Sequence, residues 1–260
     1  MIIKKETELL LPIKDLDNLY IVADFDRTLT DENSQSSWAV MCHSKYVPKS
    51  YSEDRQTLYN LYRPIEIDET INSEQKMIAM KEWYEKHIAL FIKYQLTEDI
   101  FEQASADSKI MSFRPGAVEF INFLHAHQIP LIIISAGVGN FIEAFLKRNN
   151  CYYDNIYVCS NTVIFKNGIA HGVGQNVIHS LNKNEISLPS HVLEKLKNRN
   201  KIILLGDQIS DLKMVNKNTN RQIISVGLFT PEYDIKNLIN NFDIVCEPNE
   251  NYNDLKKLLF

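Results

Sequence analysis

The stretch Leu19-Tyr-Ile-Val-Ala-Asp24-Phe-Asp26-Arg-Thr-Leu29 decides the fold class of this chain of 260 residues. Its first five residues are almost all apolar, which is typical of a strand that is buried on both faces of a parallel sheet. Two aspartates follow directly. Because ligands of open α/β sheets bind beyond the carboxyl ends of the strands, we predict that Asp24 and Asp26 lie at a binding site.

Two further apolar runs end in the same way. Residues 131–134 precede Ser135, and residues 202–205 precede Gly206-Asp207. Later apolar runs add further strands, and amphipathic stretches separate the runs. Strands that alternate with helices predict an α/β fold with a Rossmann-like, mostly parallel sheet. We therefore expect the three polar segments to meet at one edge of that sheet.

Residues 31–111 differ in character from the rest of the chain. They contain almost no β-type runs, and residues 73–94 resemble one long helix because apolar and aromatic side chains recur at roughly helical spacing. We interpret this segment as a helical cap domain inserted after the first strand. Residues 1–30 and 112–260 are then predicted to form the core. Within that core, Asn167-Gly168 predicts a β-hairpin.

The composition excludes several classes of protein. Hydrophobic residues make up 45% of the chain and charged residues 23%, which is the balance of an ordinary globular protein. A net charge of -5 does not indicate a nucleic-acid-binding protein. The N-terminus lacks the pattern of a signal peptide, and no apolar run is long enough to cross a bilayer. The four scattered cysteines show no zinc spacing. We expect a cytoplasmic protein that acts on a small molecule.

The strand-end aspartates suit phosphoryl chemistry. Mg²⁺ is bound through oxygen, usually by one or two carboxylates, several waters and a substrate phosphate, and Asp24 and Asp207 could supply those carboxylates. A carboxylate can also attack phosphorus and form an aspartyl-phosphate, which divides one difficult displacement into two easier ones. Asp26 could then protonate the leaving oxygen and later activate water.

A phosphate-binding element is predicted after the second strand. Ser135 and the amides that follow it are expected to lie where a helix begins, and Gly137 and Gly139 permit a tight turn before that helix, which we predict over residues 141–148. A hydroxyl and free amides at a helix N-terminus form a phosphate cradle. Lys183 is a plausible cation for the phosphate, although its position alone does not distinguish it from the other lysines.

These motifs resemble the four ordered motifs of the haloacid dehalogenase superfamily. More narrowly, the chain resembles the pyrimidine 5'-nucleotidase family of the cytosolic 5'-nucleotidase III type. The narrower resemblance rests on five stretches of sequence: Tyr62-Arg-Pro-Ile-Glu66-Ile-Asp68, Glu82-Trp83-Tyr84, Ser135-Ala-Gly-Val-Gly139, Asn182-Lys183 and Ile202-Ile-Leu-Leu-Gly-Asp207. It runs from about Leu19 to near the C-terminus, and the inserted segment is the least similar part.

The resemblance implies a role for each matching residue. Asp24 is implied as the nucleophile and a Mg²⁺ ligand, and Asp26 as the acid/base that also offers its backbone carbonyl to the metal. The same resemblance makes Asp207 a metal ligand and Asp211 a support of the metal site. Phosphate binding falls to Ser135, Ala136 and Lys183. Glu66 matches the cap glutamate that this family uses on the nucleotide base.

The chain departs from the family pattern in three places. Gln208 and Ser210 stand in the last motif where serine and glycine are usual, and Asn140 replaces an aspartate after the second motif. His87 stands where a cap serine near the substrate is usual. The first two departures should spare the chemistry, whereas the third concerns specificity for the base or sugar, so we assign His87 to the substrate pocket.

Several alternatives stay open from the sequence. Asp211 could be only a helix cap, Glu66 a solvated glutamate, and Trp83 and Tyr84 either core residues of the cap or partners that stack on a base. A nucleoside 5'-monophosphate hydrolase that prefers pyrimidines is the first hypothesis. The second is a phosphatase or phosphotransferase for another small phosphomonoester such as phosphoserine, and the third is an inactive binding protein. The oligomeric state is not predicted.

Overall fold

A seven-stranded, mostly parallel sheet forms the centre of the protein. The computed structural model describes residues 1–106, 110–174, 177–185, 188–216, 220–232 and 234–260. The strands are β1 (Ile2–Ile3), β2 (Leu19–Ala23), β3 (Leu131–Val138), β4 (Ile156–Asn161), β5 (Val163–Lys166), β6 (Ile169–Val173), β7 (Lys201–Gly206), β8 (Gln222–Leu228) and β9 (Ile244–Cys246). The sheet order is β1-β9-β8-β7-β2-β3-β4, and only β1 pairs antiparallel within it. The predicted mostly parallel sheet is confirmed.

Ten α-helices occur in the described part of the chain. They are α1 (Lys5–Glu8), α2 (Ser37–His43), α3 (Lys49–Ile67), α4 (Ser73–Lys93), α5 (Glu98–Ser105), α6 (Ala117–Ala126), α7 (Gly139–Arg148), α8 (Ser190–Leu196), α9 (Ile235–Asn241) and α10 (Tyr252–Leu259). No helix among these described residues combines the length and the apolar character that crossing a membrane requires.

Both faces of the central strands are buried, as their unbroken apolar sequences predicted. In β2, Ile21 and Ala23 belong to one apolar cluster, whereas Tyr20 and Val22 belong to the cluster on the opposite face. The alternation arises because successive side chains of a strand point to opposite faces of the sheet. Burial on both sides fixes the register of β2 between β3 and β7.

The second predicted strand is longer than its apolar run. β3 extends to Val138, and its pairing with β4 is irregular between Ile134 and Val138. Ser135 therefore lies inside an irregular strand end, and α7 begins only at Gly139. The helix predicted over residues 141–148 is present and begins two residues earlier, whereas the residues before it, which we expected to form only a turn, still pair with β4. The hairpin is confirmed, since Asn167 and Gly168 both have positive φ between β5 and β6.

Helices joined by loops make up the described residues between β2 and β3, and no strand is found among them. The part of this segment within residues 31–111 contains α2 to α5, and α3 packs along α4. α4 also contacts β6, and α5 contacts α7, so the segment rests on one end of the core. The assignment of residues 31–111 as a separate cap domain stays a prediction.

Candidate active site

Three buried aspartates meet at the carboxyl ends of β2 and β7. One carboxylate oxygen from each of Asp24, Asp207 and Asp211 lies within 4.8 Å of the others. The parallel pairing of β2 with β7 produces this arrangement, because Ala23 is opposite Leu205 and the amide of Asp24 donates to the carbonyl of Leu205. The meeting of the strand-end residues is thus a consequence of the sheet register.

Asp211 belongs to the aspartate cluster and also caps a helix. It lies in the 3₁₀ helix Ile209–Met214, and its Oδ2 accepts from the amide of Gln208 at 3.0 Å. A side chain at position 206 would place its Cβ 2.5 Å from the Cβ of Asp211, so Gly206 is required for this close approach. Asp211 can therefore be a helix cap and also support a metal site, since this geometry is compatible with both.

Lys183 reaches the same cluster from the loop after β6. Its Nζ donates to Oδ1 of Asp24 at 2.7 Å and to Oδ1 of Asp211 at 3.2 Å. Burial opposes the charge on this ammonium, but Asp211 and Asp24 outweigh burial and raise the pKa of Lys183 well above its usual value. Lys183 is therefore a permanent cation in the cluster.

One cation does not balance three buried carboxylates. Burial raises the pKa of Asp24 to about 7, because Lys183 offsets burial only in part and Asp211 adds repulsion. Burial, together with Asp211 and Asp24, also raises the pKa of Asp207 well above its usual value. The cluster therefore has an excess of negative charge that a bound cation would relieve.

The donor set fits a hard divalent cation. Oδ2 of Asp207 is buried and has no hydrogen-bond partner among the described residues. Carboxylate oxygens are the ligands that Mg²⁺ prefers. Buried polar atoms normally have a hydrogen-bond partner. A metal ion bound between the three carboxylates would provide the partner that this oxygen lacks.

Asp26 faces a different partner from the other aspartates. Its Oδ1 accepts from the amide of Ser37 at 2.9 Å, and its Oδ2 accepts from the hydroxyl of Ser37 at 3.1 Å. Burial raises the pKa of Asp26, and the two bonds from Ser37 lower it in part. A carboxyl with a raised pKa is suited to carrying a proton. The sequence reasoning missed Ser37, which no motif marks.

A strained turn holds Asp26 in place. Arg27 has a φ of 63°, a left-handed conformation that is uncommon outside glycine. Its carbonyl accepts two bonds from the guanidinium of Arg114, from Nε at 3.0 Å and from Nη2 at 2.6 Å. The same guanidinium donates to the carbonyl of Phe229 and pairs with Glu32. Arg114 thereby fixes the turn, a role that sequence analysis did not assign to it.

The Ser135 segment is rigidly positioned beside the aspartates. The hydroxyl of Ser135 accepts from the amide of Gly137 at 3.0 Å, and the carbonyl of Ala136 accepts from Nε1 of Trp38 at 2.9 Å. A Cβ on Gly137 would lie 2.3 Å from Oγ of Ser37, so this position tolerates only glycine. The segment has the backbone approach that a phosphate-binding loop needs.

A cavity joins the strand ends to α3 and α4. The sheet side contributes Asp24, Asp26, Ser135, Ala136 and Lys183, and the helices contribute Glu66, Trp83, Tyr84 and His87. All the predicted phosphate and substrate residues therefore line one cavity together with Asp24 and Asp26. The cavity wall does not include Asp207 or Asp211, which lie at the aspartate cluster.

A family model described as pyrimidine 5'-nucleotidase (UMPH-1) matches residues 25–259 of this chain. The chain belongs to the pyrimidine 5'-nucleotidase family. It is therefore a phosphomonoester hydrolase, and the family resemblance seen in the sequence is confirmed.

Two relatives and one solved structure support this membership. The 7-methylguanosine phosphate-specific 5'-nucleotidase of Mus musculus is 29% identical over 253 residues, 94% of this chain and 84% of the mouse protein. Xenopus laevis protein A of the same description is 30% identical over 239 residues, 88% of this chain and 82% of the frog protein. The crystal structure of cytosolic 5'-nucleotidase IIIB bound to cytidine has a TM-score of 0.83 and 27% identity, and covers 94% of this chain and 87% of that chain.

More distant solved structures are similar to this nucleotidase in fold only. Phosphoserine phosphatase in its apo form matches with a TM-score of 0.57 and 17% identity, over 94% of this chain and 99% of that chain. The α/β fold class of the haloacid dehalogenase type is therefore confirmed. Together with the cytidine-bound structure, the fold identifies a 5'-nucleotidase of the cytosolic III type.

Glu66 of the nucleotidase is half-buried and bonded on both oxygens. Its Oε2 pairs with Nη1 of Arg63 at 2.5 Å, and its Oε1 accepts from the hydroxyl of Ser180 at 2.6 Å. Ser180 lies on the loop that leads to Lys183, so Glu66 links α3 to the core. The alternative of a merely solvated glutamate does not fit these contacts.

His87 of the nucleotidase is buried and neutral. Nε1 of Trp83 donates to its Nε2 at 3.0 Å, so the neutral ring carries its proton on Nδ1. Burial lowers the pKa of His87 to about 3, and the nearby charge of Arg55 acts in the same direction. Trp83 and Tyr84 both pack against this ring, within an aromatic cluster that also lines the cavity.

Two other departures from the family pattern, at Asn140 and Gln208, have different surroundings. The side chain of Asn140 donates to the carbonyl of Val163 at 3.2 Å and accepts from its amide at 2.7 Å, which ties α7 to β5. Gln208 lines the cavity beside the aspartate cluster. Glu232 contacts both Arg27 and Arg63 across the cavity mouth, and no sequence pattern pointed to it.

Proposed function

We propose that this nucleotidase hydrolyses nucleoside 5'-monophosphates in a Mg²⁺-dependent reaction through a phospho-aspartate on Asp24. The observation that supports the proposal most strongly is the convergence of Asp24, Asp207 and Asp211 with Lys183 in one buried cluster. Such a cluster has no evident purpose in packing, since burying several like charges is costly. It suits a site that accepts a metal ion and a phosphate.

Asp24 is proposed as the nucleophile. Its carboxylate oxygen attacks phosphorus while the bond from phosphorus to O5' of the nucleoside breaks. Asp26 donates its proton to the leaving O5', and its raised pKa supports that role. In the second step Asp26 takes a proton from water, which attacks the phospho-aspartate, and inorganic phosphate leaves. The bonds from Ser37 keep the carboxyl of Asp26 in one orientation through both steps.

Asp24, Asp207 and the backbone carbonyl of Asp26 are proposed to hold Mg²⁺, with Asp211 supporting the site. The orphaned Oδ2 of Asp207 and the excess negative charge favour this assignment. When bound, the ion would screen the repulsion between the carboxylate and the phosphate dianion. Lys183 contributes a fixed positive charge to the same end, and Ser135 and Ala136 are proposed to bind phosphate oxygens.

The helical segment 31–111 is proposed as a cap that selects the substrate over a core of residues 1–30 and 112–260. A phosphate site alone would accept many monoesters, so selectivity has to come from the α3 and α4 wall of the cavity. Aromatic faces suit nucleobases, and Trp83 and Tyr84 line that wall. Glu66 is proposed to accept a hydrogen bond from the base, and His87 to contact the substrate.

Two kinds of base are candidates. The family description and the cytidine-bound structure favour a pyrimidine, whereas the names of the relatives favour 7-methylguanine. A phosphatase for another monoester such as phosphoserine is less well supported, because the aromatic wall offers little to an amino acid. An inactive binding protein would have no need of the aspartate cluster. A cytoplasmic location is proposed from the four free cysteines and from the cytosolic names of relatives.

Phosphate release from a panel of monoesters tests this function. The panel contains CMP, UMP, GMP, 7-methyl-GMP, phosphoserine and an aryl phosphate, each with Mg²⁺ and with a chelator. We expect Mg²⁺-dependent release, fastest from a nucleotide. Faster release from phosphoserine than from every nucleotide would contradict the substrate class, and equal rates in the chelator would contradict the metal.

A further inference from the structure

Four cationic side chains line the cavity, and one of them differs from the rest. Arg27 and Arg63 contact Glu232, Arg63 also pairs with Glu66, and Lys183 pairs with Asp24 and Asp211. Arg55 is buried, with 6% of its surface exposed, yet no carboxylate pairs with it in the part of the chain that the structure describes. Its Nε is also without a hydrogen-bond partner there.

The surroundings of Arg55 compensate its charge only in part. The residue lies on α3, and its guanidinium is 5.3 Å from the ring centre of Tyr59, at cation–π distance. The cavity wall to which Arg55 belongs also contains further aromatic side chains, among them Trp83. A buried charge without a partner is costly. Such a charge in a cavity wall is explained if a ligand provides the missing acceptors.

The hydrogen-bonding character of this wall restricts what that ligand can be. A guanidinium is a donor only. His87, in the same wall, has its Nε2 occupied by Trp83, and its Nδ1–H lacks a partner among the described residues. Glu66 provides a negative charge, but Arg63 already pairs with it. The wall therefore offers unpaired donors and an unpaired positive charge.

We propose that Arg55 selects the nucleobase by donating to acceptor atoms of a neutral base and by disfavouring a base with a positive charge. The inference rests on the proposed nucleotidase function and names its substrate class more closely. Arginine pairs well with adjacent acceptors such as O6 and N7 of guanine. Methylation at N7 of guanine, or at N3 of cytosine, removes an acceptor and gives the base a positive charge. Both changes weaken binding beside an unpaired guanidinium.

Two matched pairs of substrates test the proposal at mildly acidic pH, where the methylated bases are cationic. They are GMP with 7-methyl-GMP, and CMP with 3-methyl-CMP. Where the wild-type enzyme hydrolyses either member of a pair, its kcat/KM is expected to be about ten- to a hundredfold higher for the neutral member than for the methylated one. This is the range for the loss of a hydrogen bond to a charged group. Arg55→Met should remove most of that preference, and Arg55→Lys should retain the part due to charge. Arg148→Met, at the exposed end of α7, is the matched control.

The ratio within each pair separates this proposal from a structural role. If Arg55→Met lowered the rates on both members equally, Arg55 would only support the fold of the wall. A wild-type enzyme that preferred the methylated member of a pair would also overturn the proposal. Failure of the nucleotidase function itself has a different signature, because then no nucleotide in either pair would release phosphate in the presence of Mg²⁺.

Discussion

The Nζ of Lys183 lies 2.7 Å from Oδ1 of Asp24, and both groups are almost completely buried. The ammonium favours the charged form of Asp24 and thereby offsets part of the rise in pKa that burial causes. One oxygen of Asp24 is held by this bond. A substrate phosphate at the same place would share the ammonium, so the cation that orients the nucleophile also attracts the group to be attacked.

Replacement of the proposed nucleophile should abolish turnover without unfolding the protein. We expect Asp24→Asn to lower kcat by about 10⁴-fold or more, the scale on which removing a group that carries the chemistry acts. Folding should persist because asparagine has the same shape and removes one of three crowded carboxylates. Phosphate release and thermal unfolding are measured side by side, with the exposed Asp17→Asn as control. Retained activity in Asp24→Asn would end the phospho-aspartate proposal.

Magnesium should stabilise the protein through the aspartate cluster. A ligand that binds only the folded state adds RT ln(1 + [L]/Kd), or about 2.7 kcal/mol at a hundredfold excess over Kd. The melting temperature should therefore rise with Mg²⁺ in the absence of substrate. Asp207→Asn should remove most of this rise, since it replaces the charged carboxylate to which the orphaned oxygen belongs. Ca²⁺ should bind but support turnover poorly, because its coordination shell is larger and less regular. An equal Mg²⁺ response in Asp207→Asn would contradict the site.

His87 should make the protein less stable in acid. Its pKa is lowered from 6.5 to about 3 by burial, so between these values the unfolded chain binds a proton that the folded chain does not. Stability contributed by the neutral ring is therefore complete above about pH 6.5 and is lost as the pH falls, by about 3 kcal/mol at pH 4. Asp24 has the opposite effect on the pH dependence of stability. Its raised pKa makes the folded chain bind a proton that the unfolded chain does not, so acidification favours the folded state through this group.

A difference measurement isolates the histidine. Unfolding free energies are determined against pH in chelator for the wild type, His87→Gln and the exposed His191→Gln. The contribution of Asp24 is common to all three and cancels. We expect His87→Gln to reduce the loss of stability on acidification and His191→Gln to leave it unchanged. Parallel curves for all three proteins would show that the buried ring does not titrate as inferred.

Arg114 should raise kcat indirectly, because it fixes the turn at Arg27 that holds Asp26 in place. Arg114→Lys keeps the charge but loses the forked contact to the carbonyl of Arg27. Since a bond to a charged group contributes about 1.5–3 kcal/mol, kcat should fall about tenfold or more and the melting temperature should decrease. KM for CMP should change little, because Arg114 is absent from the cavity lining. The control is Arg148→Lys. A change in KM alone would argue against a positioning role.

The sequence predicted which edge of the sheet carries the site, because the carboxyl ends of parallel strands lie at the same edge. β2, β3 and β7 each carry an apolar run that is buried on both faces, and in-register pairing brings the residues at their ends together. Asp24 and Asp207 meet for that reason alone. Lys183 could be selected only through the family resemblance, since a loop position has no periodicity.

The remaining site residues depend on tertiary contacts that no local pattern records. Ser37 bonds to Asp26 across a chain separation of 11 residues, and Arg114 bonds to Arg27 across 87. Arg55 resembles any surface arginine in sequence, and only its burial and its unpaired Nε in the structure distinguish it. The length of β3 was underestimated because its last residues, Ser135 to Val138, pair irregularly with β4.

Glu66 is the proposed hydrogen-bond acceptor for the base in the cap. Its two oxygens already bond to Arg63 and Ser180, yet each carboxylate oxygen can accept more than one bond, and the residue lines the cavity. A base amine could therefore join the existing partners. The same contacts connect α3 to the loop that carries Lys183, so a substitution affects both the base and the closure of the cavity.

Two variants separate these effects. Glu66→Ala removes all the bonds and should lower kcat/KM for CMP about ten- to a hundredfold. Glu66→Gln keeps an acceptor for Ser180 but loses the charge that pairs with Arg63, so it should retain more activity. Hydrolysis of a small aryl phosphate, which has no base to hold, should fall much less in both. The exposed Glu69→Ala is the control. Equal losses on CMP and the aryl phosphate would mean that Glu66 only fastens α3 to the core, because a contact to the base cannot affect a substrate that lacks one.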